Sequence, residues 1–340
     1  SNFKTVLYEG TGSEQYISNV GMDLETSGGL VWIKKRSGGS TRDHMLYDSV
    51  RGAGNRIRAN QTTAASNATD ELTSFDANGF FLGSSDAVNG SSSSPNYVAW
   101  CWKGGGDAVQ NFDGTITGAD CMVSANTEAG FSIIKYVGNA TSGATIGHGL
   151  GAKPDLVLFK NLDHGGNYHW TVYSNTTATG ATGLLYLNLT DAFTTTSSRF
   201  YDTEPTTSVI TLGNDGTIND SGDDHIAYCW RSVPGYSKIG IYAGTSASNN
   251  RIYTTDDGTS TGSGGFEPSW LMIKRTTGAG WYIIDNKRST VSDKKDYLRA
   301  DDNGNEGTST TGITFNSDGF TFNGASFNLS PDTHIYMAFK

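Results

Sequence analysis

Apolar positions in this chain come in short bursts of roughly four to eight residues, rich in Val, Ile, Tyr, Phe and Trp, and each burst is closed off by Gly, Asn, Asp or Ser. That pattern predicts β-strands separated by polar turns. No window keeps a three-four helical period for ten residues, so helix is expected to be minor. Asn78-Gly79 and Asp318-Gly319 lie between apolar-alternating runs and predict tight hairpins with positive φ angles at the turn.

The bursts recur in the same order three times. An opening strand carries Tyr8, Tyr136 or Tyr242; then come LVWIKK (from Leu30), LVLFKN (from Leu156) and WLMIKR (from Trp270). HMLYD, WTVYS and WYIID follow from His44, Trp170 and Trp281, then RIRAN, LYLN and YLRAD from Arg56, Leu185 and Tyr297. Each round closes on YVAWCWK, HIAYCWR or HIYMAFK, starting at Tyr97, His225 and His334. Units on the order of a hundred residues are domain-sized, not solenoid rungs. The predicted fold class is all-β, as three tandem antiparallel β-sandwich repeats: a concanavalin-like jelly roll first, an immunoglobulin-like sandwich second.

The expected boundaries are 1–105 for the first repeat, 106–128 for a Gly-rich linker with hairpin content, 129–234 for the second and 235–340 for the third. Gly104-Gly105-Gly106 predicts a loose joint that lets the first unit tilt. The short second junction, Ser232 to Gly235, predicts that the last two units move together.

Charge narrows the partners. A net charge of −10 leaves no basic stripe to displace counterions from phosphates, so nucleic acid is not expected. No run is long enough to span a bilayer as a helix, and membrane insertion is not expected either. Cys101 and Cys229 share a slot that holds Ala338 in the third unit, which predicts small buried interior positions without a disulfide; Cys121 is expected to be a free thiol.

The segments GFSIIKYVGNATSGATIGHGLGAKPDLVLFKN, HIAYCWRSVPGYSKIGIYAGT and GFEPSWLMIKR, with a terminal IYMAF, resemble the repeated β-domain of virion structural and tail-fibre-like proteins of marine tailed bacteriophages. The resemblance runs over essentially the whole chain. It implies a place on a virus particle, as a fibre, appendage or adhesin component among other virion proteins, and it brings no catalytic residues. It also implies that the last strand is clipped or the chain is a fragment. A lectin-like protein or a polysaccharide depolymerase are the alternative readings.

Enzyme motifs do not build up. Gly258 to Gly262 spells G-x-S-x-G, but in a Gly/Ser/Thr loop instead of a strand-to-helix elbow. No glutamate has an Asp two residues later, as the paired-carboxylate strand of concanavalin-like glycosidases requires. The chain is not expected to be an enzyme. Two acidic tracts crowd oxygen donors of the kind calcium prefers: Asp215, Asp220, Asp223 and Asp224, and Asp301, Asn303 and Asn305. Ordinary turn chemistry is the competing reading. Sugar stacking would need exposed aromatic faces, and Tyr168, His169, Trp170 and Trp281 beside variable loops are the candidates for a host glycan. Multivalent display of weak sugar sites predicts a homotrimer.

Overall fold

The structure is a computed structural model, described for residues 1–176 and 180–340. It is 45% strand and 2% helix, so the chain is all-β. In the first unit the main sheet runs opening strand Phe3–Glu9, closing strand Asn96–Lys103, then Gly29–Ser37, Met45–Asp48 and Asn55–Arg58. The same order recurs with Phe131–Val137, Asp224–Trp230, Leu156–Asn161, Thr171–Ser174 and Gly183–Tyr186. It recurs again with Ser237–Ala243, Thr333–Phe339, Trp270–Arg275, Trp281–Asp285 and Lys294–Arg299.

Register repeats as well as order. Tyr8 pairs with Tyr97, Tyr136 with His225 and Tyr242 with His334, and each tyrosine stacks on its partner ring at 4.8 to 5.3 Å. The slot that holds tyrosine once and histidine twice is therefore a flat-ring partner for the opening-strand tyrosine. That hydroxyl donates in turn to a loop carbonyl, of Val88, Ile218 or Phe327, and the residue after each is an asparagine. Asn89, Asn219 and Asn328 each donate their side-chain amide back to a glycine carbonyl, tying the loop ahead of the closing strand.

Beyond each main sheet lie smaller cover strands. Gln15–Ile17, Gly79–Leu82 and Leu72–Asp76 form a sheet of their own in the first unit, and Ala144–Gly147 pairs with Val209–Leu212 in the second. In the third, Ser248–Tyr253, Gly319–Asn323 and Gly307–Asn316 join the main sheet edge through Lys294–Arg299. The two expected hairpins exist, but their glycines sit one place later than the turn. Gly79 and Gly319 open the return strand at φ 159° and 154°, and a Cβ there would come within about 2 Å of the Ile17 or Ile252 carbonyl. Close backbone approach, not the turn itself, demands glycine.

Strand alternation splits the apolar residues between two places. On the first closing strand Tyr97, Ala99 and Cys101 join a cluster with the cover residues Ile17, Phe80 and Leu82, local to that unit. The second and third units have local clusters built the same way. Cys101, Cys229 and Ala338 all lie in these local clusters, buried, and all three cysteines are free. The other face, with Val98, Trp100 and Trp102, enters one large cluster shared by all three units, together with Ile226, Tyr228 and Trp230 and with Ile335, Met337 and Phe339.

The seams between units close into a ring. The N–H of Ala65 donates to Leu162 O (2.7 Å), that of Phe193 to Thr276 O (2.8 Å), and that of Glu306 to Arg36 O (2.9 Å). Leu162, Thr276 and Arg36 are the same position, the residue that follows LVLFKN, WLMIKR and LVWIKK. Each unit thus grips the next, and the last grips the first. The expected loose joint is overturned: the first unit is held on both sides, and the segment after the glycines is not free either. Gly118–Asn126 pairs with the second opening strand, and Val109–Asn111 pairs with it in turn.

Candidate functional site

Trp170 and Trp281 were expected at sugar-facing loops, and the structure corrects this. Both are buried, and each indole N–H donates across a seam, Trp170 to Arg58 O (2.8 Å) and Trp281 to Tyr186 O (2.7 Å). His44 holds the corresponding place in the first unit, next to the Arg299 backbone, though its Nε2 lacks hydrogen-bond geometry to any group among the described residues. Burial pushes the His44 pKa well down, so the ring is neutral at this seam. All seven tryptophans are buried, which leaves no indole face for a sugar.

Two seams carry a further polar pair. Tyr228 OH donates to Asp48 Oδ2 (2.6 Å), and Trp100 Nε1 donates to Asp285 Oδ2 (3.1 Å). At the third seam the corresponding positions are Met337 and Ser174, so donor and carboxylate are replaced together. The seam between the last and first units is also the most charged. Glu306 accepts from Arg36 at 3.0 and 2.9 Å and from Arg288 at 3.0 Å, and Arg288 reaches Asp285 at 2.6 Å. Here no linker joins the units, and these side chains join them together with the Glu306 N–H to Arg36 O bond.

Tyr168 and His169 are half-buried. Tyr168 stacks on His164 at 4.9 Å and donates to Asp220 Oδ2 at 2.8 Å, a bond that raises its own pKa. His169 meets the Asn188 amide at 2.8 Å and tilts on Tyr186. Of the oxygen donors proposed for calcium, the structure brings together Asp220 and Asp223, with His164 as third member; their ligand atoms lie within 4.8 Å of one another. These oxygens are already engaged, Asp223 by Asn161 (2.8 Å) and His164 (3.2 Å), Asp220 by Tyr168. Asp215 caps the short helix Gly216–Asn219 and pairs with Arg199, and Asp224 pairs with Lys135 at 2.7 Å. In the second tract, Asp301 is taken by Arg299 and the Trp281 N–H, the Asn303 carbonyl accepts from Lys34 at 3.2 Å, and Asn305 is exposed.

Three lysines that the motif reading passed over are fully buried at equivalent positions: Lys34, Lys160 and Lys274. Each donates to backbone carbonyls, and Lys34 and Lys274 reach across seams to Asn303 O and Leu189 O. Burial pushes each ammonium down to about 8. Their signal was visible in the repeated Lys of LVWIKK, LVLFKN and WLMIKR, where a charge at one register of an otherwise apolar strand has to be satisfied internally.

Residues 1–340 match end to end the model of a family described as a domain of unknown function, DUF7483. The chain belongs to that family. No curated protein and no solved structure matches this DUF7483 chain.

Proposed function

We propose that this DUF7483 chain is a structural component of a phage virion, a fibre-like or appendage protein that contributes to host-surface recognition. The observation that carries the reading is the closed ring of three equivalent seams. It makes a rigid body from one polypeptide, with the three sheet faces consumed inside and loops and cover strands left outside. The sequence resemblance to virion and tail-fibre-like β-domains supports it. On this reading each unit is a jelly-roll-like sandwich, and copies assemble as a homotrimer through loops or sheet edges, because the flat sheet faces are already used within the chain.

Immunogold electron microscopy of purified phage particles with an antibody to this chain tests the proposal. Label on the tail or particle surface is the expected result. Protein found only in the soluble host lysate and never on particles would overturn it.

A further inference from the structure

The third unit holds a cavity of about 370 Å³ between its main sheet and the 325–329 loop. Three aromatic rings line it. Tyr282 and Tyr297 meet edge to face at 5.3 Å, and Phe327 lies against them at 5.1 and 5.9 Å. Hydroxyls sit at the same mouth, with Thr310 Oγ1 and Ser326 Oγ 3.2 Å apart. Neither tyrosine hydroxyl has a hydrogen-bond partner among the described residues. His334 also lines the cavity, with its buried Nδ1 turned away from the opening beside the Asp332 backbone, though without full hydrogen-bond geometry.

The corresponding places in the other units are different. Tyr282 and Tyr297 align by register with Met45 and Arg56 in the first unit and with Thr171 and Leu184 in the second. In the first unit the corresponding groove is also open, at about 410 Å³, but its walls are charged: Arg56 is bound to Glu71, and Arg42 to Asp86. In the second, Arg199 lies on Thr171 and pairs with Asp215, so a charged pair stands where the third unit has tyrosines. Of these three corresponding places, among the described residues, only that of the third unit has aromatic walls.

Charge points to the kind of ligand. Arg275 is the one lining residue with a fixed charge, and it is paired with Asp332 at 3.3 Å. Burial lowers the His334 pKa to about 4 against the pull of Asp332, so that ring is neutral near pH 7. The protein as a whole carries −10. An anionic ligand gains nothing here, and a cation finds no unpaired carboxylate. Aromatic walls offer ring surface to C–H groups, while the two unbonded phenols offer hydrogen bonds. The volume lies at the small end of ligand-sized sites.

We propose that the cavity between Tyr282, Tyr297 and Phe327 is a binding site for one neutral pyranoside, a mono- or disaccharide. The site stands on its own geometry and does not depend on where the chain works. The test is titration calorimetry and saturation-transfer NMR on the full chain, with methyl glucoside, methyl galactoside, methyl mannoside and cellobiose as neutral probes and glucuronate as the charged one. One site per chain for at least one neutral probe is expected, with glucuronate weaker. The double variant Tyr282→Met, Tyr297→Arg, which installs the first unit's residues, should weaken binding at least about tenfold. If it does not fold, Ser326→Tyr, which fills the mouth, takes its place. Folded wild type that binds none of the neutral probes at about 10 mM, or variants that bind as tightly as wild type, would overturn the proposal.

Discussion

Trp281 donates its indole N–H to the backbone carbonyl of Tyr186 at 2.7 Å, from one unit into the one before it. The bond does two things at once. It satisfies the carbonyl of a half-buried residue at the packed seam, and it fixes the rotation of one sheet over the next.

Trp281→Phe keeps most of the ring and removes the donor. The expected cost is about 1–3 kcal/mol, the scale of leaving a buried acceptor unpaired. Trp281→Ala should cost more, about 3–5 kcal/mol, because it also opens a cavity. Urea denaturation checks both, and a Trp281→Phe variant as stable as the wild type would show that the indole N–H contributes nothing.

Glu306 ties Arg36 to Arg288 across the seam that no linker spans, and the Arg288 side chain is fully buried. Glu306→Gln should therefore cost about 1–3 kcal/mol. Hydrogen exchange should quicken first at the amide of residue 306, which donates across this seam, and not at Ala65 or Phe193. Uniform quickening at all three seams would count against a distinct closing seam.

Cys101 and Cys229 stand where the third unit has Ala338. Cys229→Ala should cost only about 1 kcal/mol or a little more. Burial raises both thiol pKa values far above the ordinary range, so neither should react with a thiol reagent in the folded protein. Rapid labelling of native protein would contradict their placement.

His334 gives a pH dependence whose sign follows from burial. Its folded pKa of about 4 lies below the unfolded value of 6.5, so below 6.5 the unfolded chain takes up a proton that the folded chain refuses. Stability therefore falls as pH drops from 6.5 toward about 4, by about 1–3 kcal/mol for this group. Comparing thermal melts of wild type and His334→Gln isolates it from Asp332 and Arg275, which face the ring and remain in both. The wild type should lose more between pH 7 and 4.

The strands and their threefold recurrence were legible in the sequence because apolar bursts and bounding glycines are local signals. The Cys101, Cys229, Ala338 slot was legible because one interior position tolerates only small groups. What escaped the motif reading was the second buried face. YVAWCW and LVWI are apolar at consecutive positions, a pattern that arises when both sides of a strand are covered. Trp170 and Trp281 stood as exposed candidates because they lie beside variable loops, whereas they are seam donors. The cavity of the third unit was illegible for another reason: Tyr282, Tyr297 and Phe327 come from three separate segments, and only the fold brings their rings together.

Phe3, in the first strand, stacks on Phe339, in the last, at 5.1 Å. Two of the three seams are bridged by the chain itself, and the third is held by non-covalent contacts alone, beside the place where Phe3 and Phe339 meet. A pull applied at the ends would enter the molecule on either side of that one seam. The force would shear it alone while the other two stay slack, until the ring opens into a tethered string of three. Resistance to stretching is thus set by the Arg36, Glu306 and Arg288 contacts and the aromatic stack beside them, which act as a clasp on an otherwise continuous band.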